Sequence, residues 1–419
     1  MTVRPMQTSS AVRGDVLVPG SKSITNRALI CAAIAPGISR IVNFSDSDDT
    51  SLLMNALNQM GILVRPEREE LVVEGRGGTL SAPKFPIPVG NAGTTLRFLI
   101  SLAALADGRV VFSGSQRMAE RPIRDLLDAL GSLGVRASFD ERTSLYEVRG
   151  GTLAGGSTSV ATDKSSQFLS SLLLVAPYAQ KPVTIHRTGA LRSAPYVSMT
   201  LHIMNAFGVS QPGDVSEHLA VQPGRYVPAL YRVEADISGA SYFAAAAGAT
   251  GGEVRFPGLP EDSLQGDRAI FAVLRSMGCD VRQNDHETIV KGTGTLRGVD
   301  VDMNAMPDMV PTLAALALFA EGATVIRNVG HLRFKESDRM AALAEELGVL
   351  GARVQSDGDA IRIDPAPLQG GVLDSRDDHR LAMAFAIVGL RVPGISIRNP
   401  ECVKKSFPGF WKQLDAVTA

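Results

Sequence analysis

The sequence predicts a mixed α/β protein built from six similar units of about seventy residues, arranged as two globular domains of three units each. Two recurring signals carry this prediction. An amphipathic helix ends in an apolar residue plus glycine at positions 61, 134, 208, 278 and 348, which are 70 to 74 residues apart. An apolar, helix-length segment also begins in a small polar cluster at six places. These starts are Gly20–Ser23, Gly90–Thr95, Asp163–Gln167, Asp236–Ser241, Met306–Met309 and Asp377–Arg380.

Each closing glycine is followed by an alternating pattern that predicts a β-hairpin, the first of which joins Ile62–Val64 to Leu71–Val73. Five such hairpins are visible, so we expect the sixth unit to be assembled from both ends of the chain. The predicted domains are residues 1–19 plus 235–419, and an inserted domain of residues 20–234, with the active site in the cleft between them. The helices at the six starts are apolar nearly all round, which predicts burial on every side.

Composition limits the possible partners. A chain of 419 residues with 45% hydrophobic residues is long enough for two buried cores. The formal net charge of -1 gives no general attraction to nucleic acid or to an anionic membrane. No segment has the length and apolarity of a signal peptide or a membrane span, which predicts a cytoplasmic protein without a membrane partner. A monomer is the default expectation.

The sequence predicts neither a disulfide framework nor a metal site. Its three cysteines, Cys31, Cys279 and Cys402, lie far apart and show no C-x-x-C spacing. Buried thiols in a reducing compartment are therefore expected. The histidines His186, His202, His218 and His286 lack partners at metal-ligand spacing, so no site is assigned to them.

Several of the helix starts carry cations, although the free N–H groups and the dipole of a helix N-terminus favour anions there. Lys22 and Arg27 lie in such a start with no acidic neighbour in the local sequence. A cation in this position suits a bound anion, and several such starts in one cleft would form a strong anion site. The alternative for Lys22 is a solvated surface lysine.

Two further segments allow either an anion-binding role or an ordinary structural role. Arg121 precedes Pro122, which predicts a rigid helix start that presents the guanidinium to a carboxylate or phosphate. A structural ion pair with Glu120 or Asp125 is the alternative. Ser165 and Ser166 offer hydroxyl groups at a helix start, as expected for a phosphate site, although ordinary N-capping explains one serine equally well.

Charged residues are densest between His331 and Arg339, where Lys335 and Arg339 flank Glu336. If this segment is helical, Arg339 lies one turn after Lys335. A carboxylate between two cations suits proton transfer on an anionic substrate, and a salt-bridged surface helix is the alternative.

Two of the helix starts also contain aspartates. Asp308 and Asp378 are predicted as helix caps. Arg380 in a first turn is unfavourable unless it faces a ligand, and Lys405 adds positive charge near the C-terminus.

Taken in order, these motifs resemble the 3-phosphoshikimate 1-carboxyvinyltransferase (EPSP synthase) family of enolpyruvyl transferases. The resemblance spans nearly the whole chain, and the ordered set is specific although each motif is short. The motifs that carry it are Pro19–Arg27, Gly90–Thr94, Glu120–Pro122, Ser165–Gln167, Ser193 with Pro195 and Tyr196, Lys335–Arg339 and Asp378–Arg380. His331 and Phe98 depart from the family pattern, where Asn and Pro are more familiar.

The resemblance implies two inside-out α/β barrel domains, each of three βαβαββ units around buried parallel helices, which close on the substrates. It implies transfer of the enolpyruvyl group of phosphoenolpyruvate to the 5-hydroxyl of 3-phosphoshikimate, with release of phosphate, in the shikimate pathway toward chorismate and aromatic amino acids. No metal or organic cofactor is implied.

By the same resemblance, two sets of residues contact the substrates. The set for 3-phosphoshikimate is Lys22, Ser23, Arg27, Ser165, Ser166, Gln167, Ser193, Tyr196, Asp308 and Lys335. The set for phosphoenolpyruvate is Lys22, Gly93, Arg121, Gln167, Arg339, Arg380 and Lys405.

The expected chemistry adds a proton to C3 of the enol while C2 accepts the 5-hydroxyl, giving a tetrahedral intermediate. Glu336 is the expected carrier of the C3 proton, Asp308 the base at the hydroxyl, and Lys22 the electrostatic partner. The reverse assignment of Asp308 and Glu336 remains open. Gly93 leaves space beside the enol carboxylate, so inhibition by glyphosate is expected.

Three other functions fit the sequence less well. The enolpyruvyl transferase of cell-wall synthesis acts on UDP-N-acetylglucosamine and commonly has a loop cysteine near the position of Arg121, but residues 113–124 contain none. A non-catalytic binding scaffold would not require inward-facing cations at helix starts. A P-loop kinase is excluded because no G-x-x-x-x-G-K-[ST] motif occurs.

Overall fold

Helices and short strands alternate along the chain in a computed structural model that describes residues 2–210, 215 and 217–418. The α-helices, in chain order, are α1 (Lys22–Ile34), α2 (Asp48–Gln59), α3 (Gly93–Leu102), α4 (Gln116–Glu120), α5 (Arg124–Ser132), α6 (Gln167–Val175), α7 (Ala194–Ala206), α8 (Ile237–Thr250), α9 (Ile270–Ser276), α10 (Val310–Ala317), α11 (Arg339–Val349), α12 (His379–Gly389) and α13 (Phe410–Thr418). Short 3-10 helices cover Ala103–Leu105, Ala176–Tyr178, Gly266–Ala269, Pro307–Met309, Gly330–Phe334 and Pro400–Lys405.

The strands are short, which suits small sheets wrapped around buried helices. In chain order they are β1 (Val3–Pro5), β2 (Arg13–Asp15), β3 (Pro36–Val42), β4 (Leu63–Glu67), β5 (Glu70–Arg76), β6 (Leu80–Ser81), β7 (Ile87–Gly90), β8 (Ala106–Asp107), β9 (Arg109–Gly114), β10 (Arg136–Asp140), β11 (Leu145–Arg149), β12 (Gly156–Ala161), β13 (Val183–Thr188), β14 (His218–Val221), β15 (Leu230–Arg232), β16 (Glu253–Pro257), β17 (Asp280–Gln283), β18 (Glu287–Lys291), β19 (Leu296–Arg297), β20 (Asp300–Asp302), β21 (Ala320–Glu321), β22 (Thr324–Arg327), β23 (Arg353–Asp357), β24 (Ala360–Asp364), β25 (Val372–Asp374) and β26 (Ser396–Arg398).

The chain divides into two units, each with its own buried apolar core. The terminal unit contains Met1–Pro19 and Glu234–Ala419, and the inserted unit contains Gly20–Val233. The chain therefore passes between the two units twice, once after Pro19 and once after Val233.

Three apolar helices form the interior of each unit. In the inserted unit α1, α3 and α6 pack against one another, and in the terminal unit α8, α10 and α12 do the same. All six are buried over almost their whole length, as their uniformly apolar sequences predict. Each begins at, or within a few residues of, one of the six polar clusters, so the predicted helix starts are confirmed.

The four-stranded sheets share one topology. A hairpin such as β4 with β5 is antiparallel, the next strand β3 pairs antiparallel with β5, and the outer strand β15 pairs parallel with β3. In the terminal unit, the corresponding outer strand is β2, which pairs parallel with β16. The N-terminal strand β1 pairs antiparallel with β26. Residues from both ends of the chain thus build the sixth unit, as the five visible hairpins predict.

Four of the five glycines predicted to close a helix have a positive φ, which only glycine adopts without strain. They are Gly61, Gly134, Gly208 and Gly278, with φ between 85° and 107°. The prediction was wrong for Gly348, which lies inside α11, and the turn is made by Gly351 with φ 87°. Leu350 is buried and continues the apolar face of the helix, so packing extends the helix past Gly348.

The remaining structural expectations concern hairpins, membranes and thiols. The hairpin expected after Gly208 lies partly outside the described residues, and β14 is its described strand. Within the described part of the chain, no helix combines the length and apolarity that a membrane crossing requires. Cys31, Cys279 and Cys402 are all free thiols; the first two are buried as expected, whereas Cys402 is only partly buried.

Candidate active site

Arg339 is the centre of a charged cluster in the terminal unit. It is the first residue of α11, and its side chain is 1% exposed. Nε and Nη2 donate to the Asp378 carboxylate over 2.7 and 3.2 Å, Nη1 donates to Asp308 over 3.0 Å, and Nη2 donates to Glu336 over 2.9 Å. Burial alone would lower the pKa of Arg339, but these carboxylates raise it above its ordinary value. One permanently charged guanidinium therefore holds three carboxylates.

Asp308 is surrounded by cations. Its Oδ2 accepts a hydrogen bond from Arg380 over 2.7 Å, and its Oδ1 lies 3.8 Å from the Lys335 ammonium. Burial would raise the pKa of Asp308, but the charges of Arg380, Lys335 and Arg339 outweigh burial and hold that pKa far below its ordinary value. Asp308 is therefore ionised, and it is a weak base while these cations surround it. We call the following residues the Arg339 cluster: Asp308, Lys335, Glu336, Arg339, Asp378 and Arg380.

Asp378 caps α12, as the sequence predicts. Its Oδ1 accepts the backbone N–H of Arg380 over 3.0 Å, and its Oδ2 accepts the hydroxyl of Ser337 over 3.0 Å. Arg380 occupies the first turn of the helix, where the dipole disfavours a cation, and its guanidinium is compensated by Asp308. The capping carboxylate also binds Arg339, a second role that the sequence analysis did not assign.

Residues 335–338 are not helical. A 3-10 helix ends at Phe334, and α11 begins at Arg339, with Asp338 as its N-cap. Lys335 is therefore not one helical turn before Arg339. The two cations meet instead at Asp308, on a different segment. The alternative of an exposed, salt-bridged surface helix is excluded because Arg339 is buried.

Tyr242 and Asp267 border this cluster and were missed by the sequence analysis. The Tyr242 hydroxyl accepts a hydrogen bond from Arg380 over 3.4 Å, and burial raises the pKa of Tyr242 to about 12. Burial, together with the charge of Asp308, raises the pKa of Asp267 to about 6, and its carboxylate accepts the Ser238 hydroxyl over 2.5 Å. A tyrosine in the Ala-rich helix α8 was an available signal, because a buried hydroxyl requires a partner.

Lys22 begins α1 in the inserted unit and forms an ion pair with Asp49 of α2. Its Nζ lies 2.8 Å from Asp49 Oδ2, and the two side chains are 13% and 4% exposed. The absence of an acidic neighbour in the local sequence was therefore misleading, because the partner lies 27 residues away. The backbone oxygen of Asp49 accepts the Thr95 hydroxyl over 3.0 Å, which ties α2 to the first turn of α3.

Arg27 is buried and holds two other predicted ligands. Its Nη1 donates to the backbone oxygen of Ser23 over 2.9 Å, and its Nη2 donates to that of Tyr196 over 3.2 Å. Its Nε donates to Thr200 over 2.7 Å, and the Phe98 and Tyr196 rings lie 5.2 and 5.9 Å from its Cζ. Burial lowers the pKa of Arg27 to about 10. The structure brings Ser23, Arg27 and Tyr196 together, and contact between Arg27 and a substrate carboxylate stays a prediction.

Gly93 begins α3 and lies directly against Arg121. The guanidinium of Arg121 donates to the backbone and side-chain oxygens of Asn91, each over 3.2 Å. A Cβ atom on Gly93 would lie 2.5 Å from Arg121 Nη2. The helix start predicted at Pro122 is wrong, because α4 ends at Glu120 and α5 begins only at Arg124. Gly93 and Arg121, which are both predicted phosphoenolpyruvate ligands, thus lie against each other.

Gln167 connects the starts of α3 and α6. Its Oε1 accepts a hydrogen bond from Arg97 over 2.6 Å, and its Nε2 donates to Thr94 over 3.0 Å. Its backbone N–H donates to the Ser165 hydroxyl over 3.2 Å, so Ser165 has the alternative capping role. Ser166 is the formal N-cap, but its side chain makes no capping bond. The Ser166 hydroxyl therefore does not cap the start of α6.

Ser193 precedes α7 in a left-handed conformation, with φ 57° and ψ 44°. This backbone conformation costs a non-glycine residue about 1 kcal/mol and is often found at functional positions. Tyr196 lies in the first turn of the same helix. The local geometry therefore marks the segment that the sequence analysis assigns to 3-phosphoshikimate.

Lys405 is the last residue of the 3-10 helix Pro400–Lys405, which packs against α12. It is partly buried and lies in the same unit as the Arg339 cluster. Its contact with phosphoenolpyruvate stays a prediction. Among the described residues, no group of three or more His, Cys, Asp or Glu side chains is placed to hold a metal ion.

A sequence model of the family described as EPSP synthase (3-phosphoshikimate 1-carboxyvinyltransferase) matches residues 6–414. The chain belongs to the EPSP synthase family. It is 44% identical over 419 residues to the 3-phosphoshikimate 1-carboxyvinyltransferase of Syntrophobacter fumaroxidans, covering 99% of this chain and 98% of that protein. It is 41% identical over 408 residues to the enzyme of the same name from Trichormus variabilis, covering 96% of each.

The fold is also that of the EPSP synthase family. A solved EPSP synthase structure from Acinetobacter baumannii superimposes with a TM-score of 0.82 at 26% identity, covering 99% of this chain and 98% of that one. The enolpyruvyl transferase NikO from Streptomyces tendae superimposes with a TM-score of 0.76 at 20% identity, covering 99% and 96%, and shows the fold alone. The family and the fold class predicted from the sequence motifs are confirmed.

Proposed function

We propose that this protein transfers the enolpyruvyl group of phosphoenolpyruvate to the 5-hydroxyl of 3-phosphoshikimate, giving 5-enolpyruvylshikimate 3-phosphate and phosphate. Membership of the EPSP synthase family supports the reaction. The structural observation that carries it is the Arg339 cluster, in which two carboxylates suited to proton transfer, Asp308 and Glu336, share one buried arginine. Lys335 and Arg380 supply positive charge for anionic substrates beside them.

In this proposal, the inserted unit supplies most of the ligands of 3-phosphoshikimate. In the inserted unit, Ser23, Arg27 and Tyr196 are linked by hydrogen bonds and, with the segment around Ser193, suit the shikimate ring and its phosphate. Ser165 and Ser166 add hydroxyls at the start of α6. The proposed phosphoenolpyruvate ligands are Lys22, Gly93, Arg121, Gln167, Arg339, Arg380 and Lys405.

The reaction proceeds by addition and elimination. The 5-hydroxyl oxygen bonds to C2 of phosphoenolpyruvate and loses its proton, while C3 gains a proton to become a methyl group. The C2–O bond to phosphate then breaks, and loss of a C3 proton forms the enol ether. In this proposal Glu336 carries the C3 proton, Asp308 takes the hydroxyl proton, and Lys22 stabilises the charge that develops on oxygen. Phosphate is the leaving group, so the proposed mechanism requires no cofactor.

Substrate binding would activate Asp308 in this mechanism. Arg380, Lys335 and Arg339 hold its pKa far below the ordinary value, which makes it a weak base. A phosphate or carboxylate that neutralises Arg380 and Lys335 removes part of this effect, so the pKa of Asp308 rises and proton abstraction becomes easier. The base is then effective only when the anionic substrates are present.

Phosphate release with both substrates tests the proposal. We expect phosphate only when phosphoenolpyruvate and 3-phosphoshikimate are both present, and 5-enolpyruvylshikimate 3-phosphate by mass spectrometry. Lys22→Ala and Glu336→Ala variants that retain wild-type circular dichroism are expected to lose this activity. Phosphate release with UDP-N-acetylglucosamine as the acceptor would favour the cell-wall reaction instead, and no turnover with either acceptor would favour a binding scaffold. A monomeric, cytoplasmic enzyme inhibited by glyphosate remains part of the proposal.

A further inference from the structure

Asp378 has more hydrogen-bond partners than a helix cap requires. Its side chain is fully buried, and its two oxygens accept from the Ser337 hydroxyl, the Arg380 backbone N–H, and Nε and Nη2 of Arg339. Only the bond from Arg380 is a capping bond. The bonds from Arg339 form a bidentate pair with a planar guanidinium, which fixes the plane of that group as well as its position.

The two edges of the Arg339 guanidinium hold different carboxylates. Nε and Nη2 face Asp378, while Nη1 and Nη2 face Asp308 and Glu336 over 3.0 and 2.9 Å. Because the guanidinium is rigid, an orientation set by Asp378 on one edge also sets where the other edge holds Asp308 and Glu336. The spacing of these two carboxylates then follows the spacing of the Nη atoms.

Glu346 offers a contrast within the same unit. It is also a buried carboxylate, and it accepts from the Arg376 guanidinium over 2.6 and 2.8 Å and from the Asp374 backbone N–H over 2.8 Å. The Arg376 guanidinium also donates to the exposed carboxylate of Glu345 over 2.8 Å. Glu346 thus has the contacts of a structural ion pair, whereas those of Asp378 lead through Arg339 to the carboxylates assigned to proton transfer.

We propose that Asp378 is a positioning residue for enolpyruvyl transfer, which acts through Arg339 to hold Asp308 and Glu336 at their working separation. This proposal rests on the proposed function. Asp378 itself touches no substrate in it. Displacing reacting groups by about 1 Å costs about 100-fold in rate, so loss of the Asp378 carboxylate is expected to lower kcat by about that factor.

A double-mutant cycle tests the route through Arg339. Asp378→Asn keeps the size of the side chain but places an amide group where the guanidinium requires a carboxylate. Arg339→Lys keeps the charge but cannot bind three carboxylates with one planar group. If Asp378 acts through Arg339, the two losses in kcat overlap. Adding Asp378→Asn to Arg339→Lys is then expected to lower kcat by less than about threefold, against about 100-fold in the wild-type background.

Glu346→Gln is the matched control, because it removes a buried carboxylate of the same unit that binds an arginine outside the Arg339 cluster. It is expected to lower the midpoint of thermal unfolding and to leave kcat near the wild-type value. If Asp378→Asn does not fold, the cycle is repeated with Asp378→Glu, which keeps the charge and shifts the carboxylate by one methylene. Losses that multiply in the double variant, or a wild-type kcat in the folded Asp378 variant, would overturn the positioning role while the proposed function stands. A wild-type protein without transferase activity would remove the proposed function and this proposal together.

Discussion

The Lys22 ammonium lies 2.8 Å from the carboxylate of Asp49, and both side chains are largely buried. The pair fixes the position of a cation at the start of α1, where the helix dipole would otherwise disfavour it. Because Asp49 lies on a separate helix that is also bonded to Thr95, the ammonium is held between two of the helix starts that the sequence analysis singled out.

Replacing Lys22 with alanine is expected to affect stability and catalysis separately. The variant leaves the Asp49 carboxylate buried without this cation, which should lower the free energy of unfolding by about 2 kcal/mol. Loss of a charge that stabilises developing negative charge should lower kcat about 1000-fold. Adding Asp49→Asn to Lys22→Ala should restore much of the stability, measured by urea unfolding, and none of the activity. Recovery of activity in the double variant would contradict the role of Lys22.

The low pKa of Asp308 predicts a pH-dependent contribution to stability. A carboxylate whose pKa is depressed in the folded state stabilises the protein above its unfolded pKa, about 3.9, and this stabilisation is lost as the pH falls through the folded value. At pH 7, Asp308→Asn should therefore lower the free energy of unfolding by about 2 kcal/mol. The difference in the free energy of unfolding between Asp308→Asn and wild type, measured by urea unfolding, should decrease as the pH falls from 5 to 3. A constant difference over that range would show that Asp308 is not stabilised by Arg380, Lys335 and Arg339.

The thiols are expected to be unreactive in the folded protein. Burial raises the pKa of Cys31 and Cys402 to about 12 and that of Cys279 to about 11, so few thiolates form at pH 8. We expect iodoacetamide to leave the activity unchanged at pH 8 and to modify all three cysteines after denaturation, measured by mass spectrometry. Rapid inactivation by the reagent would contradict this expectation, because it would show that activity depends on a reactive thiol.

Local sequence patterns predicted the helices of this protein better than they predicted which side chains contact one another. Helix starts and apolar helices are encoded within about ten residues, so all six buried helices were found from sequence. The ion pair of Lys22 with Asp49 and the second role of Asp378 depend on tertiary packing between segments, which no local pattern reports. The partner of Tyr242 was out of reach for the same reason, because Arg380 lies 138 residues away.

Helix ends were predicted less well where packing competes with glycine. Gly348 was expected to end α11, but Leu350 is buried on the same apolar face and the helix continues to Val349. Pro122 was expected to start a helix, whereas α5 begins at Arg124. In the first case, burial of one more apolar side chain outweighs the small cost of a glycine inside a helix. The site residues around Arg121 were nevertheless brought together, because the contact of Arg121 with Gly93 does not require a helix at residue 122.

Gly93→Ala is expected to weaken the binding of phosphoenolpyruvate and of glyphosate. The added Cβ would lie 2.5 Å from Nη2 and 2.7 Å from Cζ of Arg121, so the guanidinium must move. Loss of one charge-assisted hydrogen bond from Arg121 should raise the KM for phosphoenolpyruvate about tenfold or more. The inhibition constant of glyphosate should rise with it, because both ligands would meet the same methyl group.

Gly131→Ala in α5 is the matched control for Gly93→Ala, since a Cβ there meets no atom within 4 Å. That variant should be slightly more stable than wild type, by about 0.5 kcal/mol, with unchanged kinetics. If Gly93→Ala left both constants at their wild-type values, Arg121 could not be the carboxylate or phosphate ligand that its contact with Gly93 suggests.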